Sequence, residues 1–415
     1  MSHCITTVIE TQRLMLGEVI HLIESHYPGL GPAVRAALAV FGSLALAQRT
    51  KPLTLIFEGA SGSGKTTVLQ MVFPIKDSKV DLVYRSDKFT PKAFVSHAAS
   101  VKKENLDKID MLPRLRNKVL VTKELAPIFR GRQEDLTETF SILISVLDGK
   151  GFISDSGIRG RRGYDRPIIF NWLGATTPLP PGTYRLMSQL GNRILFFEID
   201  APAPHQDDLL AFAKSDTGSQ AETDCQKVVN DLLAGFFLDH PIGSVAPGSI
   251  KIPDHLSEQL VQWASLLVKG RAEIKSERAF AGAAWEPVAA LPAEVPYRVI
   301  EYFKELARGH ALIQGRAEVN EDDLELVAHV AISSIPGHLR PLVRELRETG
   351  SVTTADCKRA CRVSSPTARR YLKELSVLGI GKLTKGETNE NSQDVIRLSR
   401  DFAWLFQGLA MDFRL

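Results

Sequence analysis

Residues 59–66 read Gly59-Ala-Ser-Gly-Ser-Gly64-Lys65-Thr66, which fits G-x-x-x-x-G-K-[ST] at each defined position. Small residues at this spacing let successive main-chain N–H groups curl around a phosphate. Lys65 is then placed to reach the β- and γ-phosphates of a nucleoside triphosphate, and the Thr66 hydroxyl to ligate Mg²⁺. A helix opening at Lys65 adds the positive end of its dipole. The loop of Gly59, Ala60, Ser61, Gly62, Ser63, Gly64, Lys65, Thr66 and Thr67 is therefore the expected seat of ATP and Mg²⁺. A chance Gly/Ser loop would match the same pattern but needs no particular flanks. Here a short apolar run with a β-branched member, residues 53–57, precedes it, and a helical pattern follows from Lys65.

Enzymes that cleave the γ-phosphate also place an acid at the end of a neighbouring strand, where it serves the metal and the attacking water. The best match is Lys118-Val-Leu-Val-Thr-Lys-Glu124-Leu. Lys123 stands where an Asp is usual, so Glu124 is the one acid available there. Glu124 is the candidate catalytic base and, with Thr66, the candidate metal-side residue. Two other readings stay open: an ATP-binding switch with slow hydrolysis, or a solvated strand-end carboxylate.

The elements that must position these groups follow from periodicity. Short apolar runs at residues 53–57, 80–84, 118–122, 168–173 and 194–199 alternate with helical or polar spacers. That alternation predicts an α/β unit with a parallel sheet covered on both faces. The chain has 415 residues, enough for two or three domains. We expect a helical segment over 1–50, an α/β core over 51–203, an all-helical unit over 204–335 and a small basic unit over 336–415. Within the third, the Ala/Pro-rich residues 279–295 read as a loop, and Asn320 with Asp323 reads as a helix cap. The net charge is only +3, yet residues 336–385 hold eleven Lys/Arg against four Asp/Glu, which points to an anionic partner for that segment.

Four cysteines, Cys4, Cys225, Cys357 and Cys361, are too few for a disulfide framework. Cys357 and Cys361 lie one helical turn apart without a second Cys/His pair nearby, so reduced thiols are expected rather than a metal site. No apolar run is long enough to span a membrane and no secretory leader is evident, so a cytoplasmic protein is expected.

The order of motifs resembles an AAA+ ATPase. Within that superfamily it is most similar to the minichromosome maintenance helicase group, over roughly residues 30–335, with a winged helix behind. Residues 147–158 resemble the first arm of that group's hairpin before the sensor-1 strand. Ile169-Phe-Asn-Trp-Leu-Gly-Ala-Thr-Thr177-Pro is similar to the sensor-1 strand, with Thr177 in place of the usual Asn. Leu190-Gly-Asn-Arg193-Ile-Leu-Phe-Phe resembles the segment bearing the arginine finger, which in the family reaches the neighbouring subunit's γ-phosphate; a sheet-edge Arg in a local salt bridge is the other reading. Arg298, in a segment that looks like the helical lid, matches the sensor-2 arginine. Its place at a helix start, where the dipole disfavours a cation, suits a functional reason.

The same resemblance implies DNA contacts. Arg159, Arg161, Arg162 and Arg166 lie among glycines in the hairpin, although Asp155 stands where the family has a Lys. Residues 352–380 resemble a winged helix-turn-helix whose second helix, opening near Pro366, exposes Thr367, Arg369, Arg370 and Lys373 to DNA. A site shared between subunits implies a homo-oligomer, a hexameric ring in this group. The implied work is ATP-driven translocation on single- or double-stranded DNA, as by a replication helicase. An ATP-dependent assembly switch or an ATP-sensing winged-helix regulator are the alternatives.

Overall fold

Side chains of successive strand residues point to opposite faces, and in the central sheet both faces are covered. In β1 (Leu53–Glu58), Leu53, Leu55 and Phe57 enter one hydrophobic core and Ile56 the other. The same alternation sends Val119 and Val121 one way and Leu120 the other in β3 (Val119–Thr122). This explains why the strands read as nearly unbroken apolar runs.

The computed structural model describes residues 15–75, 81–96, 105–130, 132–156, 160–189, 193–200, 206–207, 210, 218–278, 280, 285–386 and 393–407. Helices α1 (Leu16–His26) and α2 (Gly31–Gly42) lead into β1 and then α3 (Lys65–Met71). Next come β2 (Val83–Arg85), β3, α4 (Gln133–Leu147), a hairpin of β4 (Phe152–Ser156) and β5 (Gly160–Tyr164), β6 (Asn171–Thr176), α5 (Pro181–Gln189) and β7 (Leu195–Glu198). The sheet order is β2-β3-β6-β1-β7, with every pairing parallel. Glu58 pairs with Thr176 on one side and Glu198 on the other, so three strands end level. The chain leaves β1 for the far edge and returns to both flanks of β1. The carboxyl ends around β1 are thus where an open α/β sheet takes its ligand. This is the α/β core with a covered parallel sheet that the alternation of apolar runs implies.

Beyond the sheet run α6 (Gly218–Asp239), α7 (Asp254–Gly270), α8 (Tyr297–Ile313) and α9 (Glu321–Ser333). Asn320 caps α9 as expected: its side chain accepts from Asp322 N at 3.1 Å, and Asp323 accepts from Asn320 N at 2.8 Å. The expectation of an all-helical unit with a loop over 279–295 is corrected, because β8 (Ile274–Glu277) and β9 (Glu286–Ala290) form an antiparallel hairpin there. Pro287 inside β9 and the charged Glu286 at its start hide the strand in the sequence.

The C-terminal segment runs α10 (Arg340–Thr349), β10 (Ser351–Thr353), α11 (Thr354–Cys361), α12 (Ser365–Val377), β11 (Gly381–Thr384) and β12 (Val395–Leu398), with sheet order β10-β12-β11. Residues 1–14, and 387–392 between β11 and β12, lie outside the described residues. The core on the α2 side of the sheet continues without a break from Leu16 to Leu405.

Helix α8 lies against α2 at backbone contact, made possible by two glycines that face each other. A Cβ at Gly42 would meet Gly309 O at 2.3 Å, and one at Gly309 would meet Ala39 O at 2.3 Å and Ser43 N at 2.8 Å. Asn171 pins the same region to the sheet: Nδ2 donates to Val40 O and to Ser43 Oγ at 2.9 Å, while Oδ1 accepts from Leu53 N at 3.1 Å. Gly309→Ala gains about 1 kcal/mol of helix propensity. It should nevertheless lower stability by about 1–3 kcal/mol, because overpacking against backbone has no soft side chain to yield. Urea denaturation checks this, and a raised midpoint would show that the crossing relaxes freely.

Candidate functional site

The loop after β1 needs its glycines for two reasons. Gly62 and Gly64 hold φ of +82° and +84°, in the left-handed region. Gly59 has no room for a Cβ, which would lie 2.6 Å from Ser63 Oγ and 2.8 Å from Ile199 O. Gly59 N donates to Thr176 O at 3.3 Å, which fixes the start of the loop beside the end of β6. Lys65 opens α3, and its buried ammonium lies within the loop, donating to Gly59 O at 2.8 Å and also to Ala60 O. Burial lowers its pKa, against the pull of the Glu124 and Glu58 carboxylates. A phosphate entering the loop would replace those carbonyls as the partner of the ammonium. Thr66 is exposed and Thr67 half-buried.

Glu124 stands two residues past β3, exposed, with Oε1 accepting from Ala126 N at 2.7 Å. Its charge acts on Lys65, so the two groups share one edge of the sheet. Lys123 turns elsewhere: its Nζ sits 5.4 Å from the centre of the Phe73 ring, within the field of Asp87. Because β6 lies between β1 and β3, Thr177 falls between the phosphate loop and Glu124. Thr177 Oγ1 accepts from Arg130 Nη2 at 3.0 Å. Nothing in the sequence had singled out Arg130; the only signal was its place six residues after Glu124.

One hydroxyl and one carboxylate, Thr66 and Glu124, are a donor set that suits Mg²⁺, which keeps several waters and is shared with substrate phosphates. Among the described residues there is no cluster of three or more His, Cys, Asp or Glu that would hold a metal without a nucleotide. Cys357 is buried and Cys361 half-buried on α11, both as free thiols.

Arg193 and Arg298 lie at the other edge. Arg193 precedes β7 and grips Asp148 with both ends of its fork, Nε to Oδ1 at 2.8 Å and Nη2 to Oδ2 at 3.0 Å. That is the local salt bridge rather than a projecting side chain. Arg298, half-buried in the first turn of α8, pairs with Glu294 at 3.4 Å. The same helix is tied to the residues ahead of β1 by Lys51–Glu301 and by Arg49–Glu305 at 3.1 Å. Both arginines act on the buried Tyr302 hydroxyl, whose pKa is pushed up by burial against their opposing charge. A six-residue strand spans about 20 Å, so these arginines and Lys65 are separated by roughly the length of β1.

A buried ionic cluster lies directly behind the phosphate loop. Arg340, 2% exposed at the start of α10, bonds Glu58, reaches Glu198 Oε1 at 3.0 Å, and donates to Tyr184 Oη at 2.7 Å and Ile335 O at 2.8 Å. Glu58 Oε1 also accepts from Leu179 N at 3.0 Å and from Tyr184 Oη at 2.9 Å. Arg344 takes the second oxygen of Glu198. Burial disfavours the Arg340 cation, but Tyr184, Glu58 and Glu198 outweigh it and its pKa is raised. Burial likewise opposes the Glu198 anion, and Arg340 with Arg344 prevails, so its pKa is lowered. The sequence counted Arg340 and Arg344 within a basic segment; in the fold both are neutralised by Glu58 and Glu198, Arg340 buried and Arg344 half-buried.

The hairpin arginines are Arg161 and Arg166, both exposed, and Arg162, half-buried; Arg159 lies outside the described residues. Asp155 pairs across the ladder with Arg161, and Tyr164 Oη donates to Asp110 at 2.9 Å. On α12, Arg369 and Arg370 are exposed while Thr367 and Lys373 are half-buried. Their charges are partnered: Arg369 with Asp394 at 3.6 Å, Arg370 with Glu374 at 3.6 Å, and Lys373 with Glu286 of β9 at 2.9 Å. Thr367 Oγ1 is 3.1 Å from Ser364 Oγ.

No protein-family model matches the sequence, and no curated protein matches it. Among solved structures, the chain is similar to a candidate ATPase from Cytophaga hutchinsonii at 14% identity and a TM-score of 0.41, covering 76% of this chain and 85% of that one. It is also similar to a full-length MCM homolog from Methanopyrus kandleri at 14% identity and a TM-score of 0.42, covering 76% of this chain and 58% of that one. These are distant likenesses. Among the described residues no helix is long and apolar enough to cross a membrane.

Arg340→Met leaves Glu58 buried without a cation and should cost about 3–5 kcal/mol of stability. Guanidinium denaturation of the variant beside Arg340→Met/Glu58→Gln tests it; the second change should recover part of the loss.

Proposed function

We propose that this chain hydrolyses ATP with Mg²⁺ and uses the energy to move on DNA as a ring-forming helicase or translocase. The observation that carries the reading is the division of charged groups between two edges of one sheet. Lys65, Thr66 and Glu124 gather at the carboxyl edge, while Arg193 and Arg298 gather at the opposite edge. Groups so far from their own phosphate loop can serve a nucleotide only on another subunit. A head-to-tail ring brings one edge against the other.

In this reading the loop amides and Lys65 hold the β- and γ-phosphates, and Mg²⁺ on Thr66 neutralises their charge. Glu124 takes the proton of a water whose oxygen bonds the γ-phosphorus as the bond to the β-phosphate oxygen breaks. Thr177 sits where it can orient that water. Arg193 must exchange Asp148 for phosphate to act as a finger, so nucleotide arrival at an interface and opening of that ion pair become one event. The β4–β5 hairpin would carry Arg161, Arg162 and Arg166 to the DNA backbone. The order α10–β10–α11–α12–β11–β12 supports a winged helix that holds DNA through Thr367, Arg369, Arg370 and Lys373.

A second reading, an ATP-gated switch that assembles on DNA without unwinding it, is favoured by two observations. Lys123 replaces an acid, and the cations of α12 are already paired.

Steady-state hydrolysis with and without single- and double-stranded DNA separates them. For a motor, DNA stimulates turnover, Lys65→Ala abolishes it with loss of ATP binding, and Glu124→Gln lowers it by about 10²-fold or more with binding kept. Tight binding with negligible turnover on any DNA leaves the switch. Glu286→Lys addresses α12 separately. It frees Lys373 and adds charge beside it, so duplex affinity should rise several-fold at low salt, with the log–log salt slope steeper by about one unit. Unchanged affinity and slope would remove α12 from the DNA surface.

A further inference from the structure

We infer that Arg130 is a catalytic residue that reads the γ-phosphate within its own subunit. The inference rests on the ATP reading above and adds a residue that the motif order does not supply. Arg130 follows the single helical turn Ala126–Phe129, whose first residue donates its N–H to Glu124. The turn is anchored at its far end. The Phe129 ring is fully buried and stacked on Phe140 at 5.7 Å, and Phe129 O accepts from Thr183 Oγ1 at 3.1 Å. One fixed turn therefore carries Glu124 at its entrance and Arg130 at its exit, both on the carboxyl edge of the sheet.

The guanidinium is exposed and reaches back over the end of β6. Its Nη2 donates to Thr177 Oγ1 at 3.0 Å and to Pro178 O at 3.4 Å. Thr176, the preceding residue, accepts the Gly59 amide that opens the phosphate loop. Arg130 thus sits over the strand between the loop and Glu124, where a γ-phosphate lies when the β-phosphate is cradled. Among the described residues it pairs with no carboxylate, whereas Arg193 and Arg298 are each held by one. Its present partners are a neutral hydroxyl and a peptide carbonyl, and an anionic oxygen makes a stronger hydrogen bond than either. Nη1 and Nε make no bond to either partner, which leaves donors for a second phosphate oxygen.

The chemical consequence is discrimination. ATP and ADP differ by the γ-phosphate, so a residue that touches only this group separates their affinities and stabilises the charge that develops in transfer. Because Arg130 and Glu124 share a turn, the arrangement needs no partner to bring an arginine to the phosphate.

Equilibrium binding of ATP and of ADP, each with Mg²⁺, to the full chain and to Arg130→Ala and Arg130→Lys tests this directly. Arg130→Ala should weaken ATP on the order of 10-fold while ADP stays within about two-fold, and Arg130→Lys should fall between. Turnover should drop by on the order of 10³-fold in Arg130→Ala. An unchanged thermal midpoint in both variants shows that folding is intact. Equal loss of ATP and ADP affinity, or no loss of either, overturns the inference. Mixing Arg130→Ala with Lys65→Ala subunits decides where the residue acts: no recovered activity supports a residue working in its own subunit, and recovery overturns it. A wild-type chain that binds ATP but never turns it over ends the hydrolysis reading alone, and the ATP-to-ADP affinity ratio still decides on Arg130.

Discussion

Glu58 is the last residue of β1, fully enclosed, and the next residue begins the phosphate loop. A carboxylate in that position is costly unless a cation and hydrogen-bond donors surround it. Arg340, Tyr184 and the Leu179 amide supply them. The cation comes from a helix more than 280 positions further along the chain. The base of the loop is thereby fixed from behind by the same residue that fixes the start of the C-terminal segment. Glu198, level with Glu58 in the register, extends the cluster to β7 and Arg344. The loop, the carboxyl edge and α10 are therefore one electrostatic unit, and the placement of Lys65, Glu124 and Arg130 above it depends on that unit holding.

Much of the α/β core was legible in the sequence, because local rules and global packing agree there. The apolar runs were readable as strands since a sheet covered on both faces demands them, and the loop glycines since their φ and spacing leave few other residue types. The cap at Asn320 was readable for the same reason. What stayed hidden depends on partners distant in sequence. Strand β9 contains a proline and a charge, and becomes a strand by pairing with β8. Arg340 and Arg344 looked like solvent-facing charge, because nothing local says that Glu58 and Glu198 end beside them. Lys123 looked like a defect in an acidic motif until Phe73 was seen to receive it. Arg130 was silent because its meaning comes from Thr177, on a strand that joins the site only in the fold.

The contrast between the two edges has a physical logic. At the carboxyl edge two cations above that cluster are held by neutral partners: Lys65 by loop carbonyls, Arg130 by a hydroxyl and a carbonyl. At the opposite edge the arginines are held by acids, Arg193 by both oxygens of Asp148 and Arg298 by Glu294 at 3.4 Å. In the proposed site, groups of the first kind would exchange readily for phosphate, while groups of the second would exchange only when something displaced a carboxylate. A site built from both kinds would have a resting partner for each of these four cations, and its two halves would differ in how much must be given up on closure.

The short path from Gly59 through Glu58 to Arg340, one peptide bond and then an ion pair, has a further consequence. Suppose a nucleotide shifts the loop and α10 follows. The work of that shift then appears at the helices α10 carries behind it. Thermodynamic reciprocity forbids the traffic from running one way. Whatever engages the C-terminal helices and favours one setting of α10 must alter nucleotide affinity by the same factor. The ion pair would then be a two-way gauge, through which each end of the molecule measures the occupancy of the other.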